Sequence, residues 1–354
     1  EKLENIYGPG RQIMRRVMRK VVRREKRIAF PEGQATNILR ASQIMLDEKI
    51  ARPILIGDPD EIREKAESLS LDITGAEVID PRREAEHYVD RMLELRARKG
   101  MMPHKARSLM HSPLMHGVMM VHKDEADGLV CGVNRSYSET LGPSLGVLQL
   151  KEGVRRVSGM YAIVFPDRTL FFADATVNID PTAEELAEIA VLSAKTVRDY
   201  FDIEPRVAML SFSSFGSTRH PFSEKVRRAT EMVKGMDPSL VIDGEIQADA
   251  ALNPEIIDNV YPHSLLKGDA NLLVFPCLNS ANIAYKLMEQ LSNAEVIGPI
   301  ILGMRKPVSV VNHWSTVDQI VNITAITALA ATSTFGMEEE AFRQRILERV
   351  ERGE

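Results

Sequence analysis

RIAFPEGQATNILRASQIMLDEKIARPILIGDP, residues 27–59, decides the fold. Arg27-Ile-Ala-Phe30 is a short apolar run stopped by Pro31-Glu-Gly33. Residues 36–47 carry apolar side chains at helical spacing, and Arg52-Pro-Ile-Leu-Ile-Gly57 is a second apolar run, closed by Asp58-Pro59. A strand, a helix and a strand of this length predict a parallel pair of strands covered by a helix.

The rhythm continues outward. A helix over 59–68 and a strand over 76–79 follow, then a helix end at 117–121 and a strand at 128–131. Residues 154–165 and 169–173 read as two strands joined by Pro166-Asp-Arg168. Asp180-Pro181 opens a long helix, with Asp as cap, Pro in the first turn, and Leu186, Ile189, Ala190, Val197 and Tyr200 as its inner face. Apolar runs at 206–211, 240–242, 271–275, 296–302 and 308–311 complete the strands. The expected fold class is α/β.

Composition narrows the partners. The chain has 354 residues, 44% hydrophobic and 27% charged, so it can bury a large core and has room for about two domains. A net charge of −5 argues against nucleic acid. No run of about 18 apolar residues suggests a membrane helix. The start, Glu1-Lys2-Leu3-Glu4, has no secretory apolar region and no Met, so a fragment or processed product is expected. Two cysteines, Cys131 and Cys277, read as reduced thiols and place the chain in the cytoplasm. Between 11 and 27 lie nine basic residues and one acid, with Ile13, Met14, Val17, Met18, Val21 and Val22 forming one apolar stripe. That is a basic amphipathic helix, read as a docking or connector helix spanning 1–26; a membrane-surface or RNA arm is the weaker reading.

In parallel sheets ligands bind beyond the carboxyl ends of strands, so the loops there are the candidates. Residues 211–218 put Ser211, Ser213, Ser214, Gly216 and Ser217 between a strand and a helix, with Arg219 next to them. Such a loop can cradle an oxyanion or be a plain turn. Asp243, Glu245 and Asp249 can bind Mg²⁺ or cap a helix. Asn279 and Asn282 can bond a ligand or cap the helix through Tyr285. Asn134 and Arg135 follow another strand, and Arg135 suits a phosphate or carboxylate. No zinc or dinucleotide motif is present.

Together the motifs carry a resemblance. Ala29-Phe-Pro-Glu-Gly33, Glu125-Ala-Asp-Gly-Leu-Val-Cys-Gly132, Asp180-Pro-Thr-Ala-Glu-Glu-Leu186, Ser211-x-Ser-x-x-Gly-Ser217, Asp243-Gly-Glu245 with Asp249-Ala-Ala251, residues 276–282 and Ile297-Gly-Pro-Ile300 occur in that order. From about 27 to 331 the chain resembles the phosphate acetyltransferase family, which exchanges acetyl groups between coenzyme A and phosphate. The resemblance implies two α/β lobes with a cleft between them: a discontinuous first lobe, 27–152 plus 302–354, and a second, 153–301, through which members dimerise.

Against that pattern this chain departs at the residues that do the chemistry. The family's Ser-Arg pair, with an Asp six residues after the Arg, is here Asn312, His313 and Gln319, and Asp318 lies one position off. A second family Arg is Gly142, and a Lys in the serine loop is Phe215. Asn, Gly and neutral His hold phosphate poorly, and Gln takes no proton. The pattern resembles the carboxyl-terminal domain of NADP-dependent bacterial malic enzymes. That resemblance implies a non-catalytic, metal-free domain that binds acetyl-CoA and self-associates, with NADP, divalent metal and malate handled by an upstream catalytic part. Its expected acetyl-CoA site comprises Asn134, Arg135, Ser211, Ser213, Ser214, Gly216, Ser217, Arg219, Asn279, Asn282, Asn312 and His313. The alternative is a working acyltransferase with a rearranged site.

Overall fold

The computed structural model describes residues 9–135 and 137–332. Residues 1–8 of the expected connector helix, Glu1-Lys2-Leu3-Glu4 among them, and the last part of the expected first lobe beyond 332 lie outside the described residues.

α1 (Pro9–Val21) precedes β1 (Arg27–Phe30), α2 (Thr36–Asp47), β2 (Arg52–Ile56), α3 (Pro59–Ser68) and β3 (Glu77–Ile79). Three helices follow, α4 (Glu86–Arg96), α5 (Pro103–Met110) and α6 (Pro113–His122), then β4 (Gly128–Cys131) and α7 (Tyr137–Leu148). The chain next runs through β5 (Ser158–Val164), β6 (Thr169–Ala173), α8 (Ala183–Phe201), β7 (Arg206–Leu210) and α9 (Pro221–Met236). After them come β8 (Val241–Ile246), α10 (Ala248–Leu252), α11 (Pro254–Val260), β9 (Leu272–Val274), α12 (Leu278–Leu291) and β10 (Glu295–Leu302). It ends in β11 (Val308–Val310) and α13 (Val317–Ala330). Two compact units result, divided within α1 after Arg16: a first unit of Val17–Lys151 plus the described residues from Met304 to 332, and a second containing Glu152–Gly303. The fold is α/β in both.

The first unit holds a five-stranded sheet in the order β11-β4-β1-β2-β3, parallel at every pairing. Ile54, Leu55 and Ile56 of β2 are all essentially inaccessible, as a strand covered on both faces requires. Each such side chain contributes about 1.5–3 kcal/mol of burial. β11 enters this sheet only after the whole second unit has been built, so the sheet is closed by residues remote in sequence from its other strands. α13 packs on α2 and β4, and nine of its fourteen residues are buried. In α1 the stripe Ile13, Met14, Val17 and Val21 is buried, whereas Val22 is exposed.

The second unit's sheet has the order β10-β5-β6-β9-β7-β8. It is mixed: β10-β5 and β5-β6 are antiparallel and the rest parallel. The expected Asp180-Pro181 cap is displaced two residues. Thr182 caps α8 in a reciprocal box with Glu185, because its hydroxyl accepts the Glu185 N–H while the Glu185 carboxylate accepts the Thr182 N–H. β8 runs on to Ile246, past the expected end at Ile242, so Asp243 and Glu245 belong to a strand and not a loop.

One buried group in the first unit carries a pH signature. His116, on α6, is fully buried beneath the Tyr88 ring, and neither ring nitrogen makes a hydrogen bond. Burial lowers its pKa, and the nearby Met110 backbone only partly offsets this. The unfolded chain therefore binds the extra proton more readily than the folded one, and stability falls as pH drops through about 6.5. His116→Leu should remove this component. Urea midpoints measured from pH 7.5 to 5.5 should show the variant gaining on the wild type as pH falls. Parallel pH dependences would contradict the account.

Candidate active site

In the first unit, β4 and β11 pair in register, Val308 to Leu129, Ser309 to Val130 and Val310 to Cys131. Just past their carboxyl ends the two chains stay in contact, because Val311 donates to the Cys131 carbonyl at 2.9 Å. Gly132 is required there. Its φ is +113°, and a Cβ would stand 2.5 Å from the Val311 carbonyl oxygen. The Gly132 N–H points at the Glu32 carboxylate, 3.2 and 3.3 Å from its two oxygens. Glu32 follows β1 and is 6% exposed. Burial raises its pKa, opposed by the Gly132 N–H and by the charge of Arg135, whose Nε is 3.9 Å away.

The following residues open into a pocket of about 440 Å³ lined by Val133, Asn134, Arg135 and His313. His313 is tied across it, its Nδ1 3.3 Å from the Val133 carbonyl oxygen. The loop that presents His313 is internally braced. Asn312 Oδ1 accepts from the Trp314 N–H at 2.9 Å, the Asn312 N–H donates to Ser315 Oγ at 3.0 Å, and Asn37 holds the Ser315 carbonyl at 3.0 Å. Trp314, the chain's one tryptophan, is 86% exposed beside His313, with ring centroids 5.3 Å apart. Cys131 is fully buried, and that burial pushes its thiol pKa well up, so it is no nucleophile.

The departures from the family pattern acquire local explanations. Gln319 caps α13: its Oε1 accepts the Thr316 N–H and its own N–H donates to Thr316 Oγ1. Gly142 lies exposed on α7 with open space where a side chain would be. Asp318 is exposed in the first turn of α13 and is not among the residues lining the pocket.

The second unit carries the serine loop between β7 and α9. Its serine hydroxyls bond back to the loop itself, to β8 and to the residue just after it. Ser213 N–H donates to Ser211 Oγ, Ser214 N–H to Ser217 Oγ, and Thr218 N–H to Ser213 Oγ. Ser214 Oγ accepts from the Gln247 N–H at 3.0 Å. Phe215 donates to the Glu245 carbonyl and Gly216 to Glu245 Oε1, at 2.8 and 2.7 Å. Ser217 N–H donates to the Ser214 carbonyl. Every amide from 213 to 218 thus has an acceptor within the loop or on β8, which leaves none of them for an anion. The organiser is Glu245, 2% exposed, whose Oε2 has no hydrogen-bond partner. Phe215, where the family has Lys, sits at φ +50° and packs against Tyr261 and His263.

Asp243 is likewise occupied, by Lys234 at 2.9 Å and by Ser264 Oγ and the Leu265 N–H at 2.9 Å each. Among the described residues no group of three or more His, Cys, Asp or Glu could hold a metal ion, and no helix is long and apolar enough to cross a membrane. Arg219 is exposed at the loop's end. Asn279 and Asn282 lie inside α12, whose cap is Cys277, so neither caps it.

The predicted site residues thus fall into two groups. Asn134, Arg135 and His313 line one pocket in the first unit, with Asn312 bracing the His313 loop; Ser211, Ser213, Ser214, Gly216, Ser217, Arg219, Asn279 and Asn282 lie in the second. Sequence reasoning passed over Glu32 and Trp314, and it read Glu245 as a metal ligand or helix cap where the structure makes it the acceptor of the serine loop. Glu32 stood inside a quoted motif, and Trp314 directly follows His313.

Comparison with known proteins fixes the family. A phosphate acetyl/butaryl transferase profile matches residues 12–328, beginning inside α1. The chain is 39% identical to a phosphate acetyltransferase of Clostridium acetobutylicum over 87% of this chain and 95% of the relative. It is 40% identical to one of Thermoanaerobacterium thermosaccharolyticum over 90% and 99%. A phosphotransacetylase structure from Streptococcus pyogenes superposes with a TM-score of 0.86 at 36% identity, covering 91% of this chain and 98% of that one.

These likenesses overturn the reading as a regulatory malic-enzyme domain. Relatives matched almost end to end are acetyltransferases, and the malic-enzyme, oxidoreductase and NADP expectations fall with that reading. That reading took the substituted side chains as evidence of a different protein, whereas the chain matches acetyltransferases over nearly its full length and theirs. The chain belongs to the phosphate acetyl/butaryl transferase family.

Proposed function

We propose that this chain transfers an acyl group between coenzyme A and inorganic phosphate. The observation that carries the reading is the pocket beyond β4 and β11, where Arg135, Asn134 and His313 converge in a family whose named relatives are acetyltransferases. With Asn312, His313 and Gly142 at the family's Ser and Arg positions, Arg135 is the fixed positive charge at this pocket. A guanidinium presents a planar fork of donors that matches phosphate oxygens. Glu32 lies on the inner side of the guanidinium, its Oε1 3.9 Å from Arg135 Nε. Coenzyme A is a substrate in this reading. Within the second unit, Arg219, Asn279 and Asn282 are proposed as polar ligand-binding residues. The serine loop, with Ser211, Ser213, Ser214, Gly216 and Ser217, serves as the rigid support that sets Arg219.

Mixing the protein with acetyl phosphate and coenzyme A should form acetyl-CoA at about 1 s⁻¹ or faster, the usual range for enzymes. Arg135→Ala should raise KM for acetyl phosphate about tenfold or more, the loss of one charge-assisted hydrogen bond. Absence of acetyl-CoA would overturn the function; an unchanged KM would overturn the role of Arg135.

Self-association through the second unit is the second part of the proposal. The apolar inner face of α8 is buried in the unit's own core and is not the surface that would pair. A different surface supports it. Eight of the eleven exposed large hydrophobics among the described residues lie within Glu152–Gly303, and Ile283, Leu287 and Leu291 form one stripe along α12 at 59%, 48% and 77% exposure. A second copy would cover it. Sedimentation at micromolar concentration should show a dimer that Leu287→Glu dissociates. A monomeric wild type, or a variant that stays dimeric, would contradict the assignment.

A further inference from the structure

Acyl transfer to coenzyme A needs a base, because an alkyl thiol titrates near about 8.5 and is mostly protonated at neutral pH. The family's Asp is here Gln319, which takes no proton and is spent on capping α13. Glu32 is buried and holds the Gly132 N–H and Arg135. Cys131 is buried with its pKa pushed up. Among the residues lining the pocket, one basic atom remains, on His313.

The hydrogen bond of His313 decides which nitrogen it is. A carbonyl oxygen only accepts, so the Nδ1 atom 3.3 Å from the Val133 oxygen carries the hydrogen. In the neutral ring Nε2 is then an acceptor with a free lone pair. His220, exposed in the second unit, shows the opposite arrangement. Its Nδ1 accepts the Phe222 N–H at 3.2 Å, so its hydrogen sits on Nε2 and its outer nitrogen donates. Of these two histidines, the one beside Arg135 is set to receive a proton.

We propose that His313 Nε2 is the general base of the acyl transfer. The proposal rests on the acyltransferase reading. Nε2 takes the thiol proton as the sulfur electron pair attacks the carbonyl carbon of the acyl phosphate. The C–S bond forms, the C–O bond to phosphate breaks, and phosphate leaves with that electron pair beside Arg135. The proton then passes from His313 to phosphate or water, and nothing is oxidised or reduced.

The test uses the full chain and His313→Asn, whose side-chain amide can still donate to the Val133 carbonyl but has no basic nitrogen. His313 is exposed, and circular dichroism checks the fold of the variant. The expected result is a kcat lower by about 10²–10⁴-fold. KM for acetyl phosphate should stay within about threefold, and activity should rise with added imidazole. A kcat within about threefold of wild type would overturn the proposal. So would a raised KM with kcat intact, or a lost kcat that imidazole does not restore. A wild type without any turnover would overturn the acyltransferase reading itself, and this proposal with it.

Discussion

Gly132 and Val311 approach so closely that a single methyl group would not fit between them. The site depends on that contact. It joins the end of β4 to the end of β11, strands separated by the whole second unit, and it turns the Gly132 N–H toward Glu32. Glu32 in turn lies within reach of Arg135, and the Val133 carbonyl beyond Gly132 holds His313. Phosphate recognition and proton transfer, as assigned here, are consequences of one backbone packing constraint. A side chain at 132 would need both a left-handed conformation and a displaced β11.

Two loops at the ends of strands use polar residues in opposite ways. In the serine loop the hydroxyls and Glu245 satisfy the backbone, which makes a rigid support out of what reads in sequence as an anion cradle. In the first unit the backbone is satisfied by β-pairing and by Asn312, Ser315 and Asn37, which leaves Arg135 and His313 turned to a pocket. Counting hydroxyls does not separate the two cases. Asking where each amide hydrogen goes does, because a buried amide without an acceptor is costly enough that folded chains rarely leave one.

That difference also marks what was legible beforehand. The strand–helix alternation of residues 27–59 was readable because a strand buried on both faces demands a continuous apolar run. The extent of β8 was not, because Asp243 and Glu245 look like loop residues until Lys234, Ser264 and the serine loop supply partners from elsewhere in the chain. Arg135 and His313 were separately visible as candidates, but their meeting depends on β11 joining β4, a pairing across about 180 residues that local spacing does not encode. The malic-enzyme reading failed for another reason. It set the joint change of several side chains above the likeness of the rest of the chain, and relatives matched almost end to end are acetyltransferases.

Trp314 offers a direct probe, since it is the one tryptophan and stands exposed beside His313. The measurement is its fluorescence during titration with acetyl phosphate and, separately, with coenzyme A. The account predicts a saturable change with each ligand, and loss of the acetyl phosphate response in Arg135→Ala. A protein that turns over acetyl phosphate while its tryptophan emission stays constant with both ligands would place the chemistry somewhere other than the pocket beyond β4 and β11.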